Sequence, residues 1–216
     1  MLIVNAVLET PDTVDFSLWP VADLPPYQFM ALSGSMSPLE VGSALAMLAN
    51  YNSLTGDDDH PLADAGEAIR RLLETDKVIA PGGLRVHDTR TNVTVRPGCC
   101  CGLEDWREWL DAADGETLWL GHDPSPRLEH ADEVVQLWPD GADAQETPSG
   151  QPIEIVVGDL PGILQTVQEG LQGFLSLTKH WATRHVPPLA EDLVARLGED
   201  LAISAPLPGA SGQHAP

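Results

Sequence analysis

Residues 96–110, RPGCCCGLEDWREWL, mark the point at which the chain changes from an extended pattern to a helical one. Before this point, residues 84–88 and 92–96 alternate apolar and polar side chains, which predicts a β-hairpin. The apolar residues that follow Gly102 recur at the spacing of one helical face, which predicts a helix. A hairpin that runs directly into a helix favours an α+β protein.

The clearest helical pattern lies at 159–184, where apolar residues recur at three- and four-residue spacing. This spacing predicts one long amphipathic helix. Weaker patterns predict strands at 1–8, 77–80, 116–120, 127–130, 133–138 and 153–157, and helices at 37–51, 62–75 and 189–197. We therefore expect an α+β fold with a mixed or mainly antiparallel sheet and helices packed on one side.

The length of 216 residues and the hydrophobic content of 43% are typical of a globular chain with a sizeable core. We expect residues 1–203 to form a single α+β domain. The loop 139–152 is the best candidate for an internal boundary, because it is rich in Pro, Gly and polar residues. Residues 204–216 are rich in Pro, Gly and Ala, and we expect them to form a disordered tail.

The formal net charge is −22, from 33 acidic and 11 basic residues. A negative field of this size disfavours contact with nucleic acid and with anionic membranes, and it favours a basic protein partner. Residues 1–9 lack the basic region and the cleavage site of a signal peptide. Three adjacent cysteines cannot form an unstrained disulfide framework within one chain. We therefore expect a cytoplasmic protein.

Three interpretations apply to Cys99, Cys100 and Cys101, which are all the cysteines of the chain. The first, which we favour, is that they are small buried side chains at a tight junction between strand and helix. The second is a zinc or copper(I) site formed with His87, His122 or His130. Contiguous cysteines point in different directions, so one ion is not expected to bind all three. The third is a reactive thiol at a helix N-terminus.

His122 and Asp123 are adjacent in a turn between Gly121 and Pro124. The pair suggests a catalytic or metal-binding role, but polar turns beside prolines commonly contain both residue types without such a role. The chain lacks the motifs of nucleotide-binding proteins, serine hydrolases and zinc proteases, and it lacks spaced cysteine pairs. We therefore expect no catalytic activity.

Three strings of the sequence carry a resemblance to other proteins: PGCC at 97–100, GLEDWREW at 102–109 and WLGHDP at 119–124. In these strings the chain resembles uncharacterised proteins of high-GC bacteria, over the middle quarter to third of its length. This resemblance implies no activity, ligand or site. By analogy of class alone, small acidic α+β proteins of bacteria are often immunity or antitoxin proteins.

Three hypotheses for the function follow. We favour an acidic cytoplasmic binding protein without catalytic activity or cofactor, which engages a basic partner protein as an immunity protein or antitoxin would. The first alternative is a metal- or thiol-dependent protein centred on residues 99–101, with zinc or copper as its cofactor. The second alternative is an enzyme that uses His122 and Asp123, which requires a pocket around them.

Overall fold

The computed structural model of the protein describes residues 1–11, 16–53, 63–140 and 150–207. Within these ranges the strands form two antiparallel sheets, and the helices pack together with them. The α+β class and the antiparallel pairing that we expected are therefore confirmed. The strands are divided between two sheets, which the sequence patterns did not indicate.

The first sheet contains the strands β1 (Leu2–Glu9), β2 (Phe29–Ala31), β3 (Gly82–Asp88) and β4 (Val93–Val95). They lie in the order β2-β1-β3-β4, and each neighbouring pair is antiparallel. β1 pairs with β3 along nearly its whole length, beginning with Leu2 opposite Asp88. The hairpin predicted from residues 84–88 and 92–96 is confirmed as β3 and β4.

The second sheet contains β5 (Arg127–Ala131), β6 (Val134–Trp138) and β7 (Ile153–Val156), in the order β5-β6-β7. Both pairs in this sheet are antiparallel. Asp132 has a left-handed backbone conformation, with φ of 55°, and forms the turn between β5 and β6. The strands predicted at 127–130 and 133–138 are therefore confirmed as β5 and β6, which form a second hairpin with its turn at residues 132–133.

Two predicted strands, at 77–80 and 116–120, are not formed. In the first segment, consecutive backbone N–H groups donate to side chains: Val78 to Asp200 at 2.7 Å, Ile79 to Asn52 at 2.9 Å and Ala80 to Glu104 at 3.0 Å. In the second segment, the Leu120 carbonyl accepts a hydrogen bond from the backbone of Gly98. Side-chain partners thus replace a neighbouring strand at 77–80, and the alternating pattern alone could not reveal this.

The α-helices are α1 (Pro38–Ser53), α2 (Ala65–Glu74), α3 (Leu160–His185) and α4 (Ala190–Asp200). A twelve-residue 3-10 helix at Leu103–Asp114 is called the 3-10 helix, and two short 3-10 segments lie at Val157–Asp159 and Pro187–Leu189. A capping box begins α1, because Ser37 N donates to Glu40 Oε2 and Glu40 N donates to Ser37 Oγ. The long helix predicted at 159–184 is confirmed as α3. None of the helices in the described ranges has the length and hydropathy of a membrane span.

A continuous cluster of buried apolar residues connects both sheets, the four α-helices and the 3-10 helix. α3 lies at its centre and packs against β1, α1, α4 and the 3-10 helix. Its side chains Leu164, Leu171 and Phe174 are fully buried. Burial of this apolar face therefore connects the first sheet with α1, α4 and the 3-10 helix.

The first residues of the predicted tail, 204–207, contact this core. Gln168 Nε2 donates to the backbone carbonyl of Ala205, and the Leu207 side chain is buried. The remainder of that tail, 208–216, lies outside the described residues, as does most of the loop 139–152.

Replacing Phe174 with alanine tests the role of α3. We expect Phe174→Ala to lower the free energy of unfolding by about 3–5 kcal/mol, because it leaves a cavity in the core. The neighbouring exposed residue serves as the control, and Gln172→Ala is expected to change that free energy by less than about 0.5 kcal/mol. Urea unfolding followed by circular dichroism measures both. Equal effects of the two substitutions would show that α3 is not the centre of the core.

Candidate metal centre

A short antiparallel contact brings the cysteine segment against the segment that contains His122. Cys99 N donates to His122 O at 2.5 Å, and His122 N donates to Cys99 O at 3.1 Å. One residue earlier in the chain, Gly98 N donates to Leu120 O at 2.8 Å. These backbone hydrogen bonds fix the position of Cys99 relative to His122, although more than twenty residues separate them in the sequence.

Two glycines allow this close approach. A Cβ atom on Gly98 would lie 2.1 Å from the Pro124 carbonyl oxygen, and one on Gly121 would lie 2.5 Å from the Gly98 carbonyl carbon. Gly121 also has a φ of 91°, which L-residues rarely adopt. Larger residues at either position would therefore push Cys99 and His122 apart.

The contact places two thiols and one imidazole together. The Sγ atoms of Cys99 and Cys100 are 3.6 Å apart, and these atoms lie with a His122 ring nitrogen within 4.8 Å of one another. Cys100 has a left-handed backbone conformation, with φ of 63°. This conformation breaks the alternation of an extended chain, in which adjacent side chains point to opposite faces. Cys99, Cys100 and His122 therefore form a group that could hold a metal ion.

The environment of the three cysteines differs from the one that we favoured. Cys99 and Cys100 are exposed, so they are not buried small side chains. Cys101 is half-buried and is separate from the group. Its sulfur lies 3.1 Å from the position that a Cβ on Gly83 would occupy. The interpretation as a small packed side chain thus suits only Cys101.

The His122 ring is oriented by its neighbour in the sequence. His122 Nδ1 lies 3.1 Å from Asp123 Oδ2, and this hydrogen bond, followed by the one to Cys100, raises the pKa of His122. With Nδ1 bound to the carboxylate, Nε2 is the nitrogen that remains for the thiols or for a metal ion. The His122 side chain is 46% exposed and that of Asp123 is 94% exposed, so the pair lies at the surface.

Hydrogen bonding distinguishes the two exposed thiols. Hydrogen bonds from the Cys99 thiol and from His122 lower the pKa of Cys100, because both stabilise its thiolate. The pKa of Cys99 is raised, chiefly because its thiol donates to Cys100. Cys100 is therefore the thiol that ionises first in this pair. Ionised thiols are the form that binds metals and attacks electrophiles.

The pKa of Cys101 is shifted in the opposite direction. Burial, and then the carboxylates of Asp105, Glu104 and Glu108, raise the pKa of Cys101 to about 11. A thiol in this environment remains protonated near neutral pH.

His87, another predicted ligand, lies on β3 apart from the group. Its Nδ1 is 2.9 Å from Thr94 Oγ1, and it pairs in the sheet with Ile3. Of the six candidate ligands that the sequence indicated, the structure therefore brings together Cys99, Cys100 and His122. Cys101, His87 and His130 are not part of this group.

A cleft of about 230 Å³ adjoins the group. Cys100 and Cys101 line it together with aromatic and acidic side chains: Trp106, Trp109, Trp119, Asp105 and Glu108. Neither His122 nor Asp123 lines this cleft. The exposed Trp119 ring lies 6.5 Å from the His122 ring and was not identified as a site residue by the sequence patterns.

Thiol alkylation at pH 8 tests the difference between Cys100 and Cys101. The variant Cys99→Ser/Cys101→Ser retains only Cys100, and Cys99→Ser/Cys100→Ser retains only Cys101. At this pH, the thiolate fraction of a thiol with a pKa of about 11 is roughly one-hundredth of that of a thiol with the ordinary pKa of 9.0. We therefore expect iodoacetamide to modify Cys100 at least about tenfold faster, as measured by mass spectrometry. Equal rates would contradict the arrangement described.

The chain was also compared with known proteins. No family model, no curated protein and no solved structure matched it. A functional assignment must therefore come from the chemistry of Cys99, Cys100 and His122 and from the surface around them.

Proposed function

We propose that the protein binds one thiophilic metal ion, Cu(I) or Zn²⁺, through the thiolates of Cys99 and Cys100 and the imidazole of His122. The observation that carries this proposal is the convergence of these three ligand atoms within 4.8 Å. A ligand set of thiolates and imidazole favours Cu(I) and Zn²⁺ over the other metals available to proteins.

The spacing of the thiols supports the proposal. When two sulfurs bind the same tetrahedral Zn²⁺ ion, each at about 2.3 Å, the two sulfurs are about 3.8 Å apart. The Sγ atoms of Cys99 and Cys100 are 3.6 Å apart, so metal binding requires only a small adjustment of this pair.

The second nitrogen of His122 provides further support. Metal-binding histidines usually donate their other ring N–H to a carboxylate or a carbonyl, which fixes the tautomer and makes the ligand more basic. Asp123 occupies this position at His122 Nδ1. A metal-supporting role accounts for the adjacent His and Asp without requiring a catalytic pocket.

Because the thiols are exposed, the site suits an ion that binds and dissociates better than a structural ion that stabilises the fold. Structural zinc sites are closed by four protein ligands, whereas this group offers three. The two cysteines are exposed and lie outside the buried apolar cluster. A bound Zn²⁺ would keep one position open to water or to a donor from another molecule.

Metal titration of the fully reduced protein tests the proposal. We expect one equivalent of Zn²⁺ or Cu(I) to bind, as measured by competition with a chromogenic chelator under anaerobic conditions. Cys99→Ser, Cys100→Ser and His122→Ala each remove a ligand and are expected to abolish tight binding. Asp123→Asn is expected to weaken binding by about 10–100-fold, as the loss of a carboxylate behind a metal-binding histidine does.

Matched variants complete this experiment. Cys101→Ser and His87→Ala remove the same residue types outside the group and are expected to bind metal like the wild-type protein. Circular dichroism verifies that each variant is folded. Tight binding that survives loss of either Cys99 or Cys100, or binding that is lost with Cys101, would contradict the proposed site.

A second proposal concerns the acidic face beside the cleft, which is formed by the carboxylates of the 3-10 helix. We infer that this face binds a basic protein segment. The 3-10 helix carries five carboxylates and a single cation, Arg107. The guanidinium of Arg107 donates to the backbone carbonyls of residues 202, 205 and 206, and Lys77 Nζ lies 3.7 Å from Asp105 Oδ1. These two cations offset only part of the negative charge of the five carboxylates. The carboxylates of Asp105 and Asp111, after burial, raise the pKa of Glu108, which indicates mutual repulsion along the helix.

A fluorescent arginine-rich peptide tests this second proposal. We expect it to bind at low salt and to dissociate at high salt, as measured by fluorescence anisotropy. Asp105→Asn/Glu108→Gln/Asp111→Asn removes three charges from the acidic face and is expected to weaken binding several-fold. Glu191→Gln/Asp192→Asn/Glu199→Gln removes three charges from α4 and serves as the control. Equal weakening by both triple variants would show that net charge alone attracts the peptide.

A further inference from the structure

We propose that Cys99 and Cys100 are a site of reversible oxidation, at which a hydroperoxide converts the two thiols into a disulfide between adjacent residues. The consequence for metal binding rests on the function proposed above: oxidation would release the ion. The oxidation itself depends only on the geometry of the two thiols.

The geometry selects one pair from three contiguous cysteines. The Sγ atoms of Cys99 and Cys100 are 3.6 Å apart and both residues are exposed, so an oxidant in solution can reach them. A disulfide bond is about 2.05 Å long, and rotation of the two side chains together with a backbone adjustment supplies the remaining approach. Cys101 is half-buried, with its sulfur against the backbone region of Gly83.

The reaction requires only the two thiols and the hydroperoxide. The thiolate of one cysteine attacks the peroxide, forming an S–O bond as the O–O bond breaks, and the departing alkoxide takes up a proton to become an alcohol. The sulfur of the other cysteine then attacks this sulfenic acid. An S–S bond forms, the S–O bond breaks, and the hydroxide leaves as water with the second thiol proton. Two thiols lose two electrons, which reduce the peroxide.

The backbone makes the product easy to reduce. Adjacent Cα atoms are about 3.8 Å apart across a trans peptide, whereas most disulfides join Cα atoms about 4.4–6.8 Å apart. A disulfide between Cys99 and Cys100 is therefore strained, and strained, exposed disulfides are readily reduced by small thiols. The pair is thus suited to repeated oxidation and reduction, unlike a permanent structural cross-link.

Oxidation and metal binding exclude each other. The disulfide has no thiolate to donate, and its sulfurs are closer together than the about 3.8 Å that a tetrahedral ion requires. His122 would remain as a single ligand, which is insufficient to hold the ion. A hydroperoxide would therefore couple the redox state of the surroundings to the release of metal.

The oxidation is tested first without metal, on the full-length Cys101→Ser variant. We expect one equivalent of tert-butyl hydroperoxide to remove both titratable thiols. The intact mass should fall by two hydrogens, and dithiothreitol should restore it. In Cys99→Ser/Cys101→Ser and Cys100→Ser/Cys101→Ser, which retain one thiol each, the reaction should stop at a sulfenic acid that dimedone traps. Cross-linked dimers, or a sulfenic acid that persists in the two-thiol variant, would overturn the inference.

Metal release is then measured on wild-type protein loaded with Zn²⁺, which has no redox chemistry of its own. We expect the hydroperoxide to release nearly all the ion to a chromogenic chelator, and dithiothreitol to restore binding. Disulfide formation in a protein that never binds metal would refute the proposed function and leave the oxidation site standing. Metal that remains bound while the disulfide forms would refute the coupling between them.

Discussion

Burial of the apolar face of α3 is the constraint on which the rest of the described structure depends. Leu171 and Phe174 are fully buried, and the helix contacts the first sheet, two other α-helices and the 3-10 helix. A side chain of this size stabilises a fold by roughly 1.5–3 kcal/mol when it is fully removed from water. Residues of both sheets belong to the same buried apolar cluster as this helix.

Backbone hydrogen bonds and backbone conformation set the geometry of the candidate metal centre. Reciprocal hydrogen bonds between Cys99 and His122 bring together two segments that are distant in the sequence. Gly98 and Gly121 permit the approach because neither has a Cβ atom. The left-handed conformation of Cys100 then directs two adjacent thiols to the same place. The three candidate ligands are thus brought together by backbone conformation and hydrogen bonding.

Much of the fold could be predicted from the sequence, because periodicity reports directly on local structure. The spacing of apolar residues located α3 and both hairpins, and Ser37 with Glu40 located the start of α1. Residues 77–80 were wrongly predicted to form a strand. Their backbone partners are side chains such as that of Asn52, and no local pattern records such distant contacts.

The candidate site was predictable in its residue types but not in its arrangement. Thiols and imidazoles suggested a metal, and the contiguous cysteines argued only against an ion bound by all three, since side chains alternate along an extended chain. The positive φ at Cys100 brings the adjacent thiols of Cys99 and Cys100 together, and a non-glycine residue gives little warning of such a conformation in sequence. The pairing of residue 99 with residue 122 is a tertiary contact. The glycines on either side of it were the available signal, because glycine marks close backbone approach.

The 3-10 helix has a consequence for the thermodynamics of ligand binding. It begins directly after Gly102, and its far side is anchored to the carboxyl-terminal chain through Trp106 Nε1, which donates to Leu201 O at 2.8 Å. The backbone contact with His122 restrains the other end of the cysteine segment. The cysteine segment is therefore preorganised, and binding of an ion restricts mainly the rotamers of a few side chains. At about 0.5–1.5 kcal/mol for each immobilised side chain, this entropic cost is small beside the energy of forming metal–sulfur bonds.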